Sequence, residues 1–392
     1  MTPPATARDD ETPVIVGCRR TAIGLGDPGR GVFRRVRGDE LAAAAIAAAV
    51  AAAAVDPATI EDVILGCTQP RGELGGNVAR NAALLAGLPF GAAGATVDRG
   101  GGSGLEALVR GAQAIRVGAE RVVVAGGVDH PGRGTAAHGA DIHPRALAAS
   151  SRGVLAPGLC AEHLAIHAGI DRRRQEAWAL ESHRRAAAAD WKDEIVAVGG
   201  HDEGGRPATV VRDEAILAAE RVADLDRLEP LFLPGAGTIT AATAAPPGAG
   251  AAALVIMSRG EALRRRLTPL ATVVATATVG IPPAATARGA LHATRKLLGK
   301  SGVRPEDIDH FELDETFAAE VINDVAELGI DPALVNPCGG SLALGNPPGA
   351  AGARMATTLV HALVRSGGRW GLAATSIGLG QGLAVLFEQA GS

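Results

Sequence analysis

Short apolar blocks alternate along this chain with longer Ala- and Leu-rich stretches, and glycine marks the turns between them. The run Val122-Val123-Val124 reads as a buried strand. The run from Leu41 to Val55 is almost all alanine and reads as a helix buried between a sheet and partner helices. It is only about three-quarters of a membrane-spanning length. Strand and helix alternating in this way argue for α/β layers.

One unit of the pattern occurs twice. Val55-Asp56-Pro57-Ala58-Thr59-Ile60-Glu61-Asp62-Val63-Ile64-Leu65 is echoed by Val303-Arg304-Pro305-Glu306-Asp307-Ile308-Asp309-His310-Phe311-Glu312-Leu313. Each copy follows a helical stretch and leads into an apolar strand. The helix after Gly104, which ends before Val122, is matched by a helix after Gly352 that ends at Arg365-Ser366-Gly367-Gly368. Two copies of one α/β unit are the simplest account. Between them, Asp129 to Gly237 loses the periodicity, and histidines and charged residues cluster there. Two helices are readable inside it, Cys160 to Ala168 and Arg172 to Asp190, with Asp171 as N-cap of the second.

Composition narrows the classes. At 392 residues the chain can bury the cores of two or three domains. A net charge of −4 gives no basic surface for nucleic acid. The four cysteines, Cys18, Cys67, Cys160 and Cys338, lack C-x-x-C spacing. Neither a zinc site nor a disulfide framework follows, and a cytoplasmic location is expected. Met1 to Thr12 is polar and acidic, without the apolar core of a secretory signal, and no membrane association is expected.

The stretch Thr96-Val97-Asp98-Arg99-Gly100-Gly101-Gly102-Ser103-Gly104-Leu105 resembles the nucleophile turn of thiolases, T-V-N-R-x-C-x-S-G-L. The resemblance extends along the chain. Arg20-Thr21-Ala22-Ile23-Gly24 resembles R-T-P-x-G, and Ala125-Gly126-Gly127-Val128-Asp129 resembles A-G-G-x-E. Asp314-Glu315-Thr316-Phe317-Ala318-Ala319 resembles N-E-A-F-A-A. Asn336-Pro337-Cys338-Gly339-Gly340, Gly345-Asn346-Pro347 and Gly349 to Arg354 follow the family's N-P-N-G-G, G-H-P and G-x-S-G-A-R blocks. Ser376-Ile377-Gly378-Leu379-Gly380-Gln381-Gly382 resembles C-I-G-x-G-x-G.

The resemblance implies a thiolase fold: a duplicated five-layered α-β-α-β-α core with an inserted loop domain. Residues 1–128 with 238–268 would form the N-terminal half, 129–237 the loop domain and 269–392 the C-terminal half. It also implies an acyl thioester substrate, acyl-CoA or carrier-protein-bound, no cofactor other than CoA as substrate, and a homodimer or tetramer.

Four positions implied to be catalytic depart from the family. Gly101 replaces the nucleophilic cysteine and cannot form an acyl-enzyme, leaving either a widened pocket floor with N–H donors or a decayed site. Asn346 replaces the activating histidine, can donate a hydrogen bond and cannot act as a general base. Ser376 replaces the second cysteine, and preserved packing is the simpler reading. Asp314 replaces an asparagine and is either a base raised by burial or a capping or ion-paired carboxylate.

Cys338 is either a relocated nucleophile or a structural thiol, and His292 and His163 would approach the pocket or merely pack. On the CoA side, Ala245 stands for a serine, while Pro157 and Gly158 stand for Met-Gly. The scaffold motifs are intact. These replacements lead to the expectation that thiolase activity is absent. The chain would then process a thioester without a covalent cysteine intermediate, or serve as a non-catalytic subunit that binds a thioester or stabilises a partner enzyme.

Overall fold

The computed structural model describes residues 9–133, 142–143, 145, 152–217 and 225–391. Residues 1–8 of the polar N-terminal stretch and parts of the inserted segment lie outside these.

The first unit comprises β1 (Pro13–Thr21), β2 (Gly24–Leu25), α1 (Gly38–Ala52), β3 (Asp62–Gly66), α2 (Val78–Leu85), β4 (Ala93–Val97), α3 (Ser103–Arg116) and β5 (Val122–Asp129). The insertion carries α4 (Pro157–Ala168), α5 (Arg172–Ala188), β6 (Ile195–Val196), β7 (Val198–His201) and β8 (Pro207–Val210). Then come β9 (Gly248–Ser258), α6 (Arg259–Arg264), β10 (Ala271–Gly280), α7 (Gly289–Ser301), β11 (His310–Leu313) and α8 (Ala318–Leu328). A short α9 (Ser341–Leu344), α10 (Pro348–Ser366), β12 (Trp370–Ile377) and β13 (Gln381–Gln389) complete the described chain.

The strands pair in the order β11-β12-β13-β10-β1-β9-β5-β3-β4. The two halves join where Val14 and Ile15 of β1 pair with Thr272 and Ala271 of β10. Period-2 alternation then sorts side chains into layers. Val14, Val16, Val122 and Val124 face α1 and α2, in one apolar cluster with Leu41, Ile46 and Val78. Ile15, Val123, Leu383, Val385 and Phe387 point the other way, onto α3 and α10 through Leu105, Leu108 and Leu359. Ala384 and Leu386 meet α7 and α8 through Leu297 and Val321. Helix, sheet, helix pair, sheet, helix is the five-layered arrangement.

The central helices nearly touch. A Cβ on Gly104 of α3 would lie 2.8 Å from Gly349 O, and one on Gly352 of α10 would lie 2.5 Å from Leu105 Cβ. Only glycine admits that approach.

The echo is real in three dimensions. Single 3-10 turns at Pro57–Thr59 and Pro305–Asp307 lead into β3 and β11. Asp171 caps α5, its carboxylate accepting from Arg174 N at 2.8 Å. The alanine-rich helix starts earlier than expected, at Gly38, because Arg37, Asp39 and Glu40 build its first turn. Among the described residues no helix is long and apolar enough to cross a membrane.

Candidate active site

Parallel pairing of β11 with β12 sets Leu313 opposite Ala374, so Asp314 and Ser376 leave the same end of the sheet. The carboxyl ends of parallel strands are where α/β folds place ligands. Here they open on a cavity of about 180 Å³ lined by Gly101, Pro157, Thr286, Asp314, Thr316, Glu320, Asn346 and Ser376, among others. Four positions far apart in sequence thus meet, together with Pro157.

Gly101 sits just before the start of α3. The turn is stitched by Ser103 Oγ, which accepts from Arg99 N at 2.8 Å and donates to Gly100 O at 2.6 Å. A Cβ on Gly101 would come no closer than 3.9 Å, to Ser376 O. Packing does not demand glycine there. No cysteine lines the cavity among the described residues.

Asp314 is buried and accepts from Thr316 N at 3.0 Å, Thr316 Oγ1 at 2.9 Å and Thr375 Oγ1 at 3.0 Å. Burial raises its pKa from the ordinary carboxylate range, and the threonine donors pull back. With the Thr316 hydroxyl hydrogen spent on Asp314, its oxygen must accept from Asn346 Nδ2, at 3.0 Å. That fixes the amide's orientation and leaves Asn346 Oδ1 buried and without a partner among the described residues. Ser376 Oγ accepts from Ala290 N at 3.0 Å, at the start of α7.

Glu315 holds the surrounding loops. Its carboxylate accepts from Trp178 Nε1 at 2.9 Å, Ser182 Oγ at 2.8 Å and Asn336 Nδ2 at 2.8 Å. One side chain therefore ties α5 to the turns before α9. Asp129, expected to stand for the family glutamate, accepts from Gly349 N at 2.6 Å and anchors the start of α10.

Other expected positions fall outside the cavity. Cys338 lies against Arg365, whose Nη2 donates to its Sγ at 3.3 Å, and burial pushes the thiol up to about 11. That places the thiol against a cation on α10 rather than on the cavity lining. His163 is exposed on α4, its ring 4.0 Å from that of His167. His292 packs on α7, its pKa lowered by burial and by Arg288 and Arg295. A Cβ on Gly158 would meet the Phe232 ring at 2.2 Å, so this glycine serves packing. Ala245 N donates to Thr316 O at 3.0 Å.

Sequence reasoning missed Glu320, a buried carboxyl on the cavity wall. A glutamate in the first turn of an amphipathic helix normally faces water, so nothing in the pattern marks it. A larger cavity of about 690 Å³ is lined by Arg30, His183, Glu214, Ala242, Pro246 and Leu342, among others, where the insertion meets the core. The two cavities share a wall, since Pro246 O accepts from Asn346 N at 2.8 Å.

The family model for the thiolase N-terminal domain matches residues 13–260, and that for the thiolase C-terminal domain matches residues 267–389. A relative from Pseudoalteromonas translucida named 3-ketoacyl-CoA thiolase is 39% identical over 385 residues, covering 96% of this chain and 98% of its own. A Marinobacter nauticus relative of the same name is 40% identical over 384 residues, with 96% and 98% covered. Among solved structures, the Bacillus anthracis acetyl-CoA acetyltransferase superposes with a TM-score of 0.88 at 32% identity, covering 96% of this chain and 98% of that one. Human mitochondrial 3-ketoacyl-CoA thiolase gives 0.85 at 30% identity, with 96% and 99% covered.

These relatives overturn the expectation that thiolase activity is absent. That expectation rested on a few positions. Identity of about 40% over nearly the whole chain to proteins named 3-ketoacyl-CoA thiolase points to classical thiolase activity, and the non-catalytic alternative falls with it. The chain has the thiolase fold and belongs to the thiolase family.

Proposed function

We propose that this chain acts on 3-ketoacyl-CoA thioesters in the thiolase reaction class, breaking or forming the bond between C2 and C3, through an active centre of divergent composition. The near-full-length likeness to relatives named 3-ketoacyl-CoA thiolase carries this reading. The convergence of Gly101, Asp314, Asn346 and Ser376 on one cavity supports it. The divergence lies in the polar set: Gly101, Asn346 and Ser376 stand where the family resemblance implies two cysteines and a histidine.

In this reading, Asp314 is an orienting group. It fixes Thr316, which fixes the Asn346 amide. The start of α3 turns the positive end of a helix dipole toward developing negative charge near Gly101. The larger cavity beside the segment from Ala242 to Pro246 is of a size to take the CoA chain, with α5 at His183 and the stretch at Glu203 and Glu214 as its cover.

The chain would work as a homodimer. β4 is the edge strand of the first unit among the described residues, Ala93 and Ala95 on it are exposed, and Phe90 just before it is 89% exposed. An unpaired edge beside exposed apolar side chains favours a second copy of the same edge. Light scattering at micromolar concentration should give twice the chain mass. The activity test is CoA-dependent cleavage of 3-ketoacyl-CoA esters of rising chain length; no cleavage at any length sinks the reading.

A further inference from the structure

Glu320 is 4% exposed, and no hydrogen bond or ion pair reaches its carboxyl from any described residue. It nevertheless lines the small cavity, together with Asp314, Asn346 and Ser376. A buried carboxyl without donors is costly as an anion and stable as an acid. Its surroundings point the same way. Burial comes first, then the like charges of Asp314 and of Asp324 one turn along α8, and together they raise its pKa well above the ordinary glutamate range.

Among the described residues no cation offsets this. α4 presents Cys160, itself raised by burial and by Glu320. α5 presents Trp178 and Ala179, which pack on Ala318, Ala319 and Ile322. Arg288 and Arg295, at the start of α7 and within it, pair with Glu327, and His292 on the same helix is lowered. Asp314 contrasts with it: both of its oxygens accept hydrogen bonds from threonines. Of the two neighbouring carboxyls, Asp314 ionises first and Glu320 keeps its proton.

We propose that Glu320 is the catalytic acid–base residue of this cavity, giving a proton to the enolate released when a 3-ketoacyl-CoA is cleaved and taking it from acetyl-CoA in reverse. The inference rests on the 3-ketoacyl-CoA reading above. In cleavage CoA, its thiol proton released to water, bonds through sulfur to C3 as the C2–C3 bond breaks: C3 leaves in the shortened acyl-CoA, and the electron pair stays on C2 as the acetyl-CoA enolate. The Glu320 O–H bond then breaks as a C–H bond forms at C2, leaving acetyl-CoA and a carboxylate. In the reverse direction Glu320 as carboxylate takes a methyl proton, and the electron pair passes to the thioester oxygen.

The test uses the full chain with two variants, Glu320→Gln and Glu320→Asp, and two readouts. One is acetoacetyl-CoA cleavage. The other is loss of the acetyl-CoA methyl signal in D₂O by NMR, which needs only the proton transfer. Glu320→Gln, close in shape to the neutral acid, should slow both by about 100-fold or more while KM changes little. Glu320→Asp should recover part of the exchange. The wild-type pH profile should show an ionisation above the usual glutamate value that vanishes in Glu320→Gln.

Exchange by Glu320→Gln at the wild-type rate overturns the proposal, as does a wild-type chain that exchanges no methyl protons. A wild-type chain that exchanges protons, loses that exchange in Glu320→Gln and cleaves no 3-ketoacyl-CoA supports the residue's role and removes the substrate reading instead.

Discussion

Two stretches of the same connection treat buried carboxyls in opposite ways. At the junction between β11 and α8, Asp314 and Glu315 are surrounded by donors: threonines on the first, Trp178, Ser182 and Asn336 on the second. Along α8 itself, Glu320 and Asp324 are just as buried, and only a 3.5 Å contact from Asn323 Nδ2 reaches Asp324. The difference separates structure from chemistry. Carboxyls that accept several hydrogen bonds are fixed in orientation and hold loops in place. Carboxyls buried without them retain protons, and a retained proton beside a cavity is one that can be transferred.

The strongest break of the comparison is Glu315→Ala. It strands three donors, Trp178 and Ser182 on α5 and Asn336 before α9, each costing about 1–3 kcal/mol. A loss on the order of 4 kcal/mol in urea unfolding is expected, and activity should fall with it because the turns before α9 lose their anchor. A loss below about 1 kcal/mol would mean that the donors find other partners.

Glu320→Gln should instead stabilise the protein, in a pH-dependent way. The unfolded side chain ionises near its ordinary value of 4.5, while the folded one is raised well above it. Between those values the unfolded state has released a proton that the folded state still binds, so wild-type stability falls as pH rises. The variant lacks that proton. Its advantage should grow from about pH 5 upward by at most ~1.4 kcal/mol per unit. Asp324→Asn should behave alike, its advantage levelling off above a folded pKa of about 8. Unfolding curves at several pH values decide this, and a gap independent of pH counts against retained protons on α8.

Asp314→Asn is the milder substitution. The amide oxygen can keep Thr316, and Thr375 Oγ1 can turn its hydrogen to Ser376 O, 3.1 Å away, and accept from the new Nδ2. A cost of about 1 kcal/mol is expected at low pH, shrinking as pH rises from the ordinary carboxylate range to the raised Asp314 ionisation, over which the wild-type carboxyl loses stability. Smallest of all is Gly101→Ala, whose Cβ enters open space, whereas Gly102→Ala would set a Cβ 2.4 Å from Ile377 Cδ1. The first should leave Tm nearly unchanged and the second should lower it by several degrees. Equal shifts would contradict the open geometry at Gly101.

Much of the fold could be read from the residues. The repeated Pro-containing turns before β3 and β11, the cap at Asp171 and the duplicated strand–helix pattern are local signals, and local signals survive into the structure. The convergence of Gly101, Asp314, Asn346 and Ser376 was legible through family motifs. Glu320 was not, because burial of a first-turn glutamate depends on α4, α5 and α7 closing over it. Nor were the partners of Asp314, since Thr375 is brought up by the next strand. Inferring lost activity from replaced residues failed for a related reason: a sequence shows which groups have left a site more readily than which have entered it.

The most direct test of the account follows the acyl group. The purified chain is given 3-ketohexanoyl-CoA and isotopically labelled CoA, and the products are separated by mass. The account predicts unlabelled acetyl-CoA and labelled butanoyl-CoA in equal amounts, at a rate on the order of 1 per second or faster. Intact 3-ketohexanoyl-CoA after prolonged incubation, with labelled CoA bound but not acylated, would contradict it.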